Sequence, residues 1–164
     1  MGEVSPINQL YTKYREKGFE FFTVYVREPH PGENYGPHRS WEQKLQYARE
    51  CQKQDGIENP MLVDDLAGTV HQLYVPMPNM IYIVDKDGKI VYKAIWTDHE
   101  EVELVLKNLE LADELRAKGM RVKPSFTEKI NYVPAEYASG IREKVFDRAG
   151  GQAWGDYQKV YPQK

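Results

Sequence analysis

Three ionisable side chains directly follow a strongly apolar run near the start of the chain. Residues 19–26 read FEFFTVYV and are mostly aromatic or β-branched, which predicts a strand buried on both faces of a parallel sheet. Arg27, Glu28 and His30 come next. Because ligands and reacting groups collect at the carboxyl ends of parallel strands, we expect a functional site here. The alternative is an ordinary solvated strand end.

Glu28 and His30 are the candidates for proton transfer. An imidazole has an ordinary pKa near 6.5, so His30 can exchange protons at neutral pH. Pro29 and Pro31 flank it and favour an extended backbone, which would fix the ring on the rim of the sheet. Glu28 lies two residues earlier, on the same side of an extended chain, where it could orient the ring or pass it a proton.

Composition excludes several classes of function. The net charge is −3 with no basic stripe, which disfavours nucleic-acid binding. No apolar run reaches the roughly 20 residues that span a bilayer, and MGEVSPINQL lacks the core of a signal peptide, so we expect a cytoplasmic protein with no membrane partner. The sequence indicates no cofactor and no metal site.

Cys51 is the single cysteine of the chain, so neither an intrachain disulfide nor a cysteine-based zinc site can form. It falls on the apolar stripe of a predicted helix together with Trp41, Leu45 and Ala48. A buried structural thiol is therefore favoured over a reactive one, such as the thiol of a one-cysteine peroxidase.

The rest of the pattern alternates helices and strands. Ser5 and Pro6 predict the start of a helix that ends at Gly18, and Ser40 with Gln43 forms a capping box for a second helix. The further predicted elements are a strand at 60–64, a helix capped by Asp64 or Asp65, a hairpin over 80–93, a helix from Asp98 to Gly119, and one more helix ending at Gly150 and Gly151. We predict a domain over residues 1–119 and a C-terminal extension, 120–164, packed on it.

Three stretches resemble the iodothyronine deiodinases and their bacterial deiodinase-like redoxin relatives: FFTVYVREPHPGE, MLVDDLAGTVHQLYVPMPNMIYIVDKDGKIVYK and DHEEVELVLKNL. The family's strand ends in a Tyr-hydrophobic-x-Glu-x-His-Pro pattern, and its proline-led strand follows later. The matching residues here are Tyr25, Val26, Glu28, His30 and Pro31, then Pro78, Ile81, Tyr82 and Ile83. The resemblance covers residues 5 to 110 or so and leaves out the C-terminal extension.

The resemblance implies an α/β, thioredoxin-like fold with three layers and a mixed sheet, truncated at its N-terminus and carrying a helical, aromatic C-terminal extension. The implied activity is reductive dehalogenation or a related thiol or selenol redox step. Its partners would be a small-molecule substrate, with halogenated aromatics as candidates, and a thiol reductant. Glu28 and His30 would be catalytic, whereas Arg27, Tyr35, His38 and Pro78 would bind substrate, Pro78 as the counterpart of the fold's cis-proline.

The departure from the family concerns its nucleophile, a cysteine or selenocysteine at the end of a strand that would precede Met1. We expect the chain as written to be inactive. A UGA selenocysteine codon read as a stop would produce such a start; a natural truncation and an upstream cysteine with a misassigned start are the alternatives. The upstream DNA distinguishes them.

Loss of that strand would leave two apolar strand edges unpaired, which predicts low stability or a strand-swapped homo-oligomer. The rival functional interpretation is a redox-inactive, thioredoxin-like binding or interaction domain.

Overall fold

The protein has a mixed α/β structure with small sheets. The computed structural model describes residues 2–74, 77, 79–125, 127–130, 132 and 139–160. Its elements in chain order are α1 (Val4–Arg15), β1 (Thr23–Tyr25), α2 (Trp41–Asp55), β2 (Met61–Val63), α3 (Thr69–Leu73), β3 (Ile81–Val84), β4 (Ile90–Ala94), α4 (His99–Ala117), α5 (Ser139–Ala149) and α6 (Gly151–Val160).

The chain divides into two compact units. The first unit comprises residues 1–76 and 133–164, and the second unit comprises residues 77–132. The candidate site described below lies in the first unit. The domain of residues 1–119 with an extension over 120–164 stays a prediction.

Strand β1 is shorter and less buried than its sequence predicts. It pairs in parallel with β2 in the register Thr23 to Met61 and Tyr25 to Val63. Phe22 and Val24 are 55% and 39% exposed, so the prediction of a strand over 19–26 buried on both faces is wrong. The physical reason is that β1 has a single strand partner among the described residues, and a strand of a larger parallel sheet is covered on both sides.

The helices of the first unit follow their capping signals closely. As predicted, Ser40 Oγ accepts a hydrogen bond from the backbone N–H of Gln43 at 3.1 Å. Helix α2 is followed by Gly56 in the left-handed conformation. Helix α1 instead begins two residues earlier than expected. Its N-cap is Glu3, so Ser5 lies inside the helix.

The second unit consists of a hairpin and a long helix, as predicted. Strands β3 and β4 pair antiparallel around a turn in which the Asp85 carboxylate accepts from the backbone N–H groups of Asp87 and Lys89. Helix α4 begins after Asp98, whose side chain accepts from two backbone N–H groups of the first turn.

The C-terminal residues form two helices where one was predicted. Gly150, with φ of 106°, ends α5, and the chain continues at once into α6. The two helices share a small core of Phe146, Ala149 and Ala153, packed against Trp154 and Tyr157. Within the part of the chain that the structure describes, no helix combines the length and apolar character of a membrane span.

Candidate functional site

The carboxyl end of β1 holds a buried phenol in contact with an acid and an imidazole. Tyr25 is the last residue of β1 and is 8% exposed. Its hydroxyl donates a hydrogen bond to Glu28 Oε1, and His38 Nε2 lies 3.2 Å from the same hydroxyl oxygen. The Tyr25 and His38 rings also pack together with their centres 5.4 Å apart. Glu28, Tyr25 and His38 thus form one hydrogen-bonded chain, which we call the proton chain.

Burial sets the protonation of this chain. Burial raises the pKa of Tyr25 far above its ordinary value, and the neighbouring Glu28 carboxylate raises it further. Tyr25 therefore keeps its proton at neutral pH. Burial lowers the pKa of His38, and the Lys44 cation lowers it further, so His38 is neutral there as well. A neutral phenol between a carboxylate and a neutral imidazole can pass a proton in either direction.

His30 has different partners from those expected. The predicted role of Glu28 was to orient the His30 ring, whereas the hydrogen bond of Glu28 goes to Tyr25. The His30 ring packs against Phe146 at 4.9 Å and against Tyr157 at 6.1 Å between ring centres. Burial lowers the pKa of His30 and so favours the neutral imidazole.

Tyr35 is committed to a polar network at the base of the loop after β1. Its hydroxyl donates to Glu50 Oε2 at 3.1 Å and accepts from Gln54 Nε2 at 2.8 Å. Its ring lies against Tyr47 at 5.0 Å and under the Arg148 guanidinium at 5.1 Å. Tyr35 is buried, so its hydrogen bonds hold the loop to α2.

An open cleft lies next to this network. It has a volume of about 680 Å³, and Tyr35, Tyr47, Glu50 and Arg148 are among its lining residues. Tyr47 connects the cleft to the proton chain, because its ring also contacts His38 at 5.7 Å. The cleft is therefore lined by tyrosine rings, a carboxylate and a guanidinium, and one of its lining side chains, Tyr47, contacts His38.

The loop after β1 is fastened to the C-terminal helices. The Glu33 carboxylate accepts hydrogen bonds from the backbone N–H of Gln152, at 3.0 and 3.3 Å, and so caps α6. Backbone hydrogen bonds lower the pKa of Glu33, first that of Glu33 itself and then those of Gln152 and Gly151. The Asn34 backbone N–H donates to the carbonyl of Ala149 at 3.2 Å, and its side chain donates to the carbonyl of Arg148 at 3.1 Å.

A buried lysine and histidine lie near the end of β2. Lys44 is 2% exposed, and its ammonium donates to the carbonyl of Asp65 at 2.8 Å. Burial lowers its pKa. His71 is 8% exposed and its backbone N–H donates to the Asp64 carboxylate at 3.0 Å. Asp64 and Asp65, the two predicted capping residues, both accept from backbone N–H groups of α3, although its N-cap residue is Gly68. Burial lowers the pKa of His71, and the charge of Arg27 lowers it further.

Cys51 is not an activated thiol. Burial and the Asp55 carboxylate raise its pKa to about 11, and its Sγ donates to Asp55 Oδ2 at 3.4 Å. Asp55 is in turn paired with Arg148 at 2.9 Å. Cys51 is therefore protonated at neutral pH, in accordance with the structural interpretation.

Arg27 and Pro78 are the two predicted substrate-binding residues that the structure does not place in the proton chain or among the lining residues of the cleft. Arg27 is exposed beside the end of β1, and Pro78 lies outside the described residues. Among the residues that the structure describes, no group of three His, Cys, Asp or Glu side chains is arranged to hold a metal ion.

Comparison with known proteins adds no assignment. No family model matches the sequence, and no solved structure matches the chain. The deiodinase resemblance stays a proposal.

Sequence reasoning placed Glu33 in the loop at the rim of the site but not its contacts, and it missed Lys44 and Phe146 as parts of this region. Lys44 lies four residues before Ala48 and seven before Cys51, so helical periodicity could have placed it on the buried face of α2. The contacts of Glu33 and Phe146 join residues more than 100 positions apart, and no local pattern in the sequence carries that information.

Proposed function

We propose that these residues are the proton-handling part of a deiodinase-like oxidoreductase of the thioredoxin-like class. The observation that carries the proposal is the proton chain of Glu28, Tyr25 and His38 at the carboxyl end of β1. Its glutamate lies in the same Glu-x-His-Pro stretch that resembles the deiodinases. His30 of that stretch is the second imidazole beside the strand end.

The reaction proposed is reductive dehalogenation by a thiolate or selenolate. The nucleophile's lone pair bonds to the halogen, the carbon–halogen bond breaks, and its electron pair stays on carbon, which takes a proton from the site. A thiol reductant then attacks the sulfur or selenium and halide leaves. A second thiol releases the nucleophile, and the reductant ends as a disulfide. The thiols of the reductant supply the protons, and the role of Glu28, Tyr25 and His38 is to relay one of them to the carbon.

The nucleophile must come from outside the 164 residues. Cys51 is unsuited, because its thiol is protonated and hydrogen-bonded to Asp55. A nucleophile on a strand added beside β1 would end next to Tyr25. The pairing of β1 supports this, since among the described strands β1 hydrogen-bonds to β2 alone and keeps one edge for another strand.

The cleft next to His38 is the proposed substrate site. Tyr35 and Tyr47 line it with aromatic carbon for a halogenated ring, and Arg148, which is paired with Asp55, adds positive charge on the side where a phenolate or carboxylate would lie. The substrate-binding roles of Arg27 and Pro78 rest on the family resemblance alone.

The test is to restore the nucleophile from the gene itself. The codons immediately upstream would be read, any in-frame UGA replaced by a cysteine codon, and the extended protein assayed for halide release from a halogenated phenol with dithiothreitol. We expect release from the cysteine form and none from a matched form with serine at that position. Glu28→Gln in the cysteine form should lower kcat by about 100-fold, the usual contribution of a side chain that transfers a proton.

Two outcomes would reject the proposal. One is an upstream sequence without an in-frame apolar strand ending in UGA or a cysteine codon. The other is equal halide release from the cysteine and serine forms. Ligand binding by the serine form without turnover by the cysteine form would favour the redox-inactive binding domain.

A further inference from the structure

His30 is enclosed by residues from the far end of the chain. Phe146 of α5 and Tyr157 of α6 lie at 4.9 and 6.1 Å from its ring, and both belong to one aromatic group with Trp154. Within that group Phe146 lies 4.9 Å from Tyr157, and Trp154 stacks on Tyr157 with their planes 12° apart. The imidazole is therefore held against a packed aromatic surface.

The loop that follows His30 is shaped to fit these helices. At Gly32 a Cβ atom would lie 2.3 Å from the carbonyl oxygen of Ala149, so no side chain fits there. At Gly150 a Cβ atom would lie 2.3 Å from the Glu33 side chain, and its φ of 106° also favours glycine. Two glycines on opposite sides of the contact thus allow the backbones to approach.

Hydrogen bonds then fix the loop in place. Glu33 caps the first turn of α6, and Asn34 bonds to the last two carbonyls of α5 through its backbone and its side chain. Glu33 is three residues from His30, so a change in these hydrogen bonds would move the His30 imidazole. None of these hydrogen bonds involves the proton chain.

We infer that α5 and α6 are a built-in wall of the candidate site, with Phe146 and Glu33 as positioning residues for the His30 imidazole. Phe146 excludes water from one face of the ring, and Glu33 fixes the loop that carries it. The assignment of a catalytic role to His30 rests on the proposed function, whereas the contact with the helices does not.

Several charged groups on the elements around the ring have partners elsewhere. On its own loop, Glu33 faces the N-terminus of α6. On α5, Arg148 faces Asp55 and the Tyr35 ring, and on α6, Asp156 pairs with Lys159 at 2.7 Å. Burial is accordingly the cause that lowers the pKa of His30. Removing the aromatic cover should therefore raise that pKa towards the ordinary 6.5.

The experiment is an NMR titration of the histidine side chains in the chain as printed, with His30 assigned from the signal lost in His30→Gln. We expect Phe146→Ala to raise the His30 pKa by roughly half a unit to one unit, and Glu33→Ala to raise it in the same direction. Phe146→Leu, which keeps an apolar side chain, should restore most of the original value. Glu143→Ala, which removes an exposed carboxylate from α5, is the matched control and should change nothing.

His71 serves as the internal reference, because it is buried in α3 and its backbone N–H bonds to Asp64. An unchanged His30 pKa in Phe146→Ala would overturn the inference. So would equal shifts of His30 and His71, or an effect of Glu143→Ala as large as that of Glu33→Ala. Absence of halide release by the nucleophile-restored enzyme would end the proposed function and leave this titration unaffected, so the two failures can be told apart.

Discussion

At the scale of single residues, Tyr25 connects strand β1 to the candidate site. Its ring is buried at the end of β1, and its hydroxyl serves both Glu28 and His38. Removing that hydroxyl leaves a partly buried carboxylate without its donor. A group of this kind costs more free energy when unpaired than the hydrogen bond contributes when made.

We predict that Tyr25→Phe lowers the free energy of unfolding by about 1.5 kcal/mol, the usual loss for a hydrogen bond to a charged group. Urea unfolding followed by circular dichroism would measure it. Tyr132→Phe is the control, because that side chain is 91% exposed and its change should be close to zero. Equal losses in the two variants would mean that the proton chain contributes nothing to stability.

Local capping chemistry is what made part of the structure predictable. Ser40 and Asp98 each bond to backbone N–H groups within three residues, so the signal lies in a short stretch of sequence. The turn at Asp85 is equally local. Predictions that depended on these residues are confirmed.

Features that depend on contacts between distant parts of the chain could not be predicted from local sequence patterns. The apolar character of residues 19–26 describes a strand suited to burial, but it cannot tell how many strands lie beside it. His30 was recognised as an imidazole at a strand end, while its neighbours Phe146 and Tyr157 come from helices outside any recognised motif. Glu28 was expected beside His30, whereas its hydrogen bond goes to Tyr25, only three residues earlier.

At the scale of elements, the contact between the loop after β1 and the helix pair α5–α6 depends on Gly32. A methyl group there would meet the Ala149 carbonyl, whereas at Gly36 of the same loop the nearest atom would be an ordinary 3.7 Å away. The two glycines are thus a matched pair for substitution.

We predict that Gly32→Ala destabilises the first unit by roughly 1–3 kcal/mol, the range for overpacked sites, and separates α5 and α6 from the loop. Gly36→Ala should change stability by less than about 0.5 kcal/mol. Hydrogen exchange at the amides of residues 143–157, which we expect to accelerate in the first variant alone, locates the effect. Slow exchange there in Gly32→Ala would show that the helices hold without this contact.

At the scale of the whole molecule, the exposed side of β1 determines whether the chain stays monomeric. The Thr23 N–H donates to the Pro60 carbonyl and the Tyr25 carbonyl accepts from Asp64, each at 3.0 Å, so these residues face β2. Because alternate residues of a strand direct their backbone groups to opposite edges, those of Val24 point away from β2. A two-stranded sheet with such an edge is a template for a further strand.

We therefore predict that the chain as printed self-associates through this edge, with a sedimentation coefficient that rises with concentration in analytical ultracentrifugation. Val24→Pro should abolish the association, since proline removes the outward N–H and leaves the hydrogen bonds of Thr23 and Tyr25 to β2 in place. Val24→Thr keeps the N–H and the β-branched shape, so it should associate as the parent does. If both variants associate equally, the β1 edge is not the interface; if the parent sediments as a monomer at every concentration, the edge does not recruit a strand from a second copy.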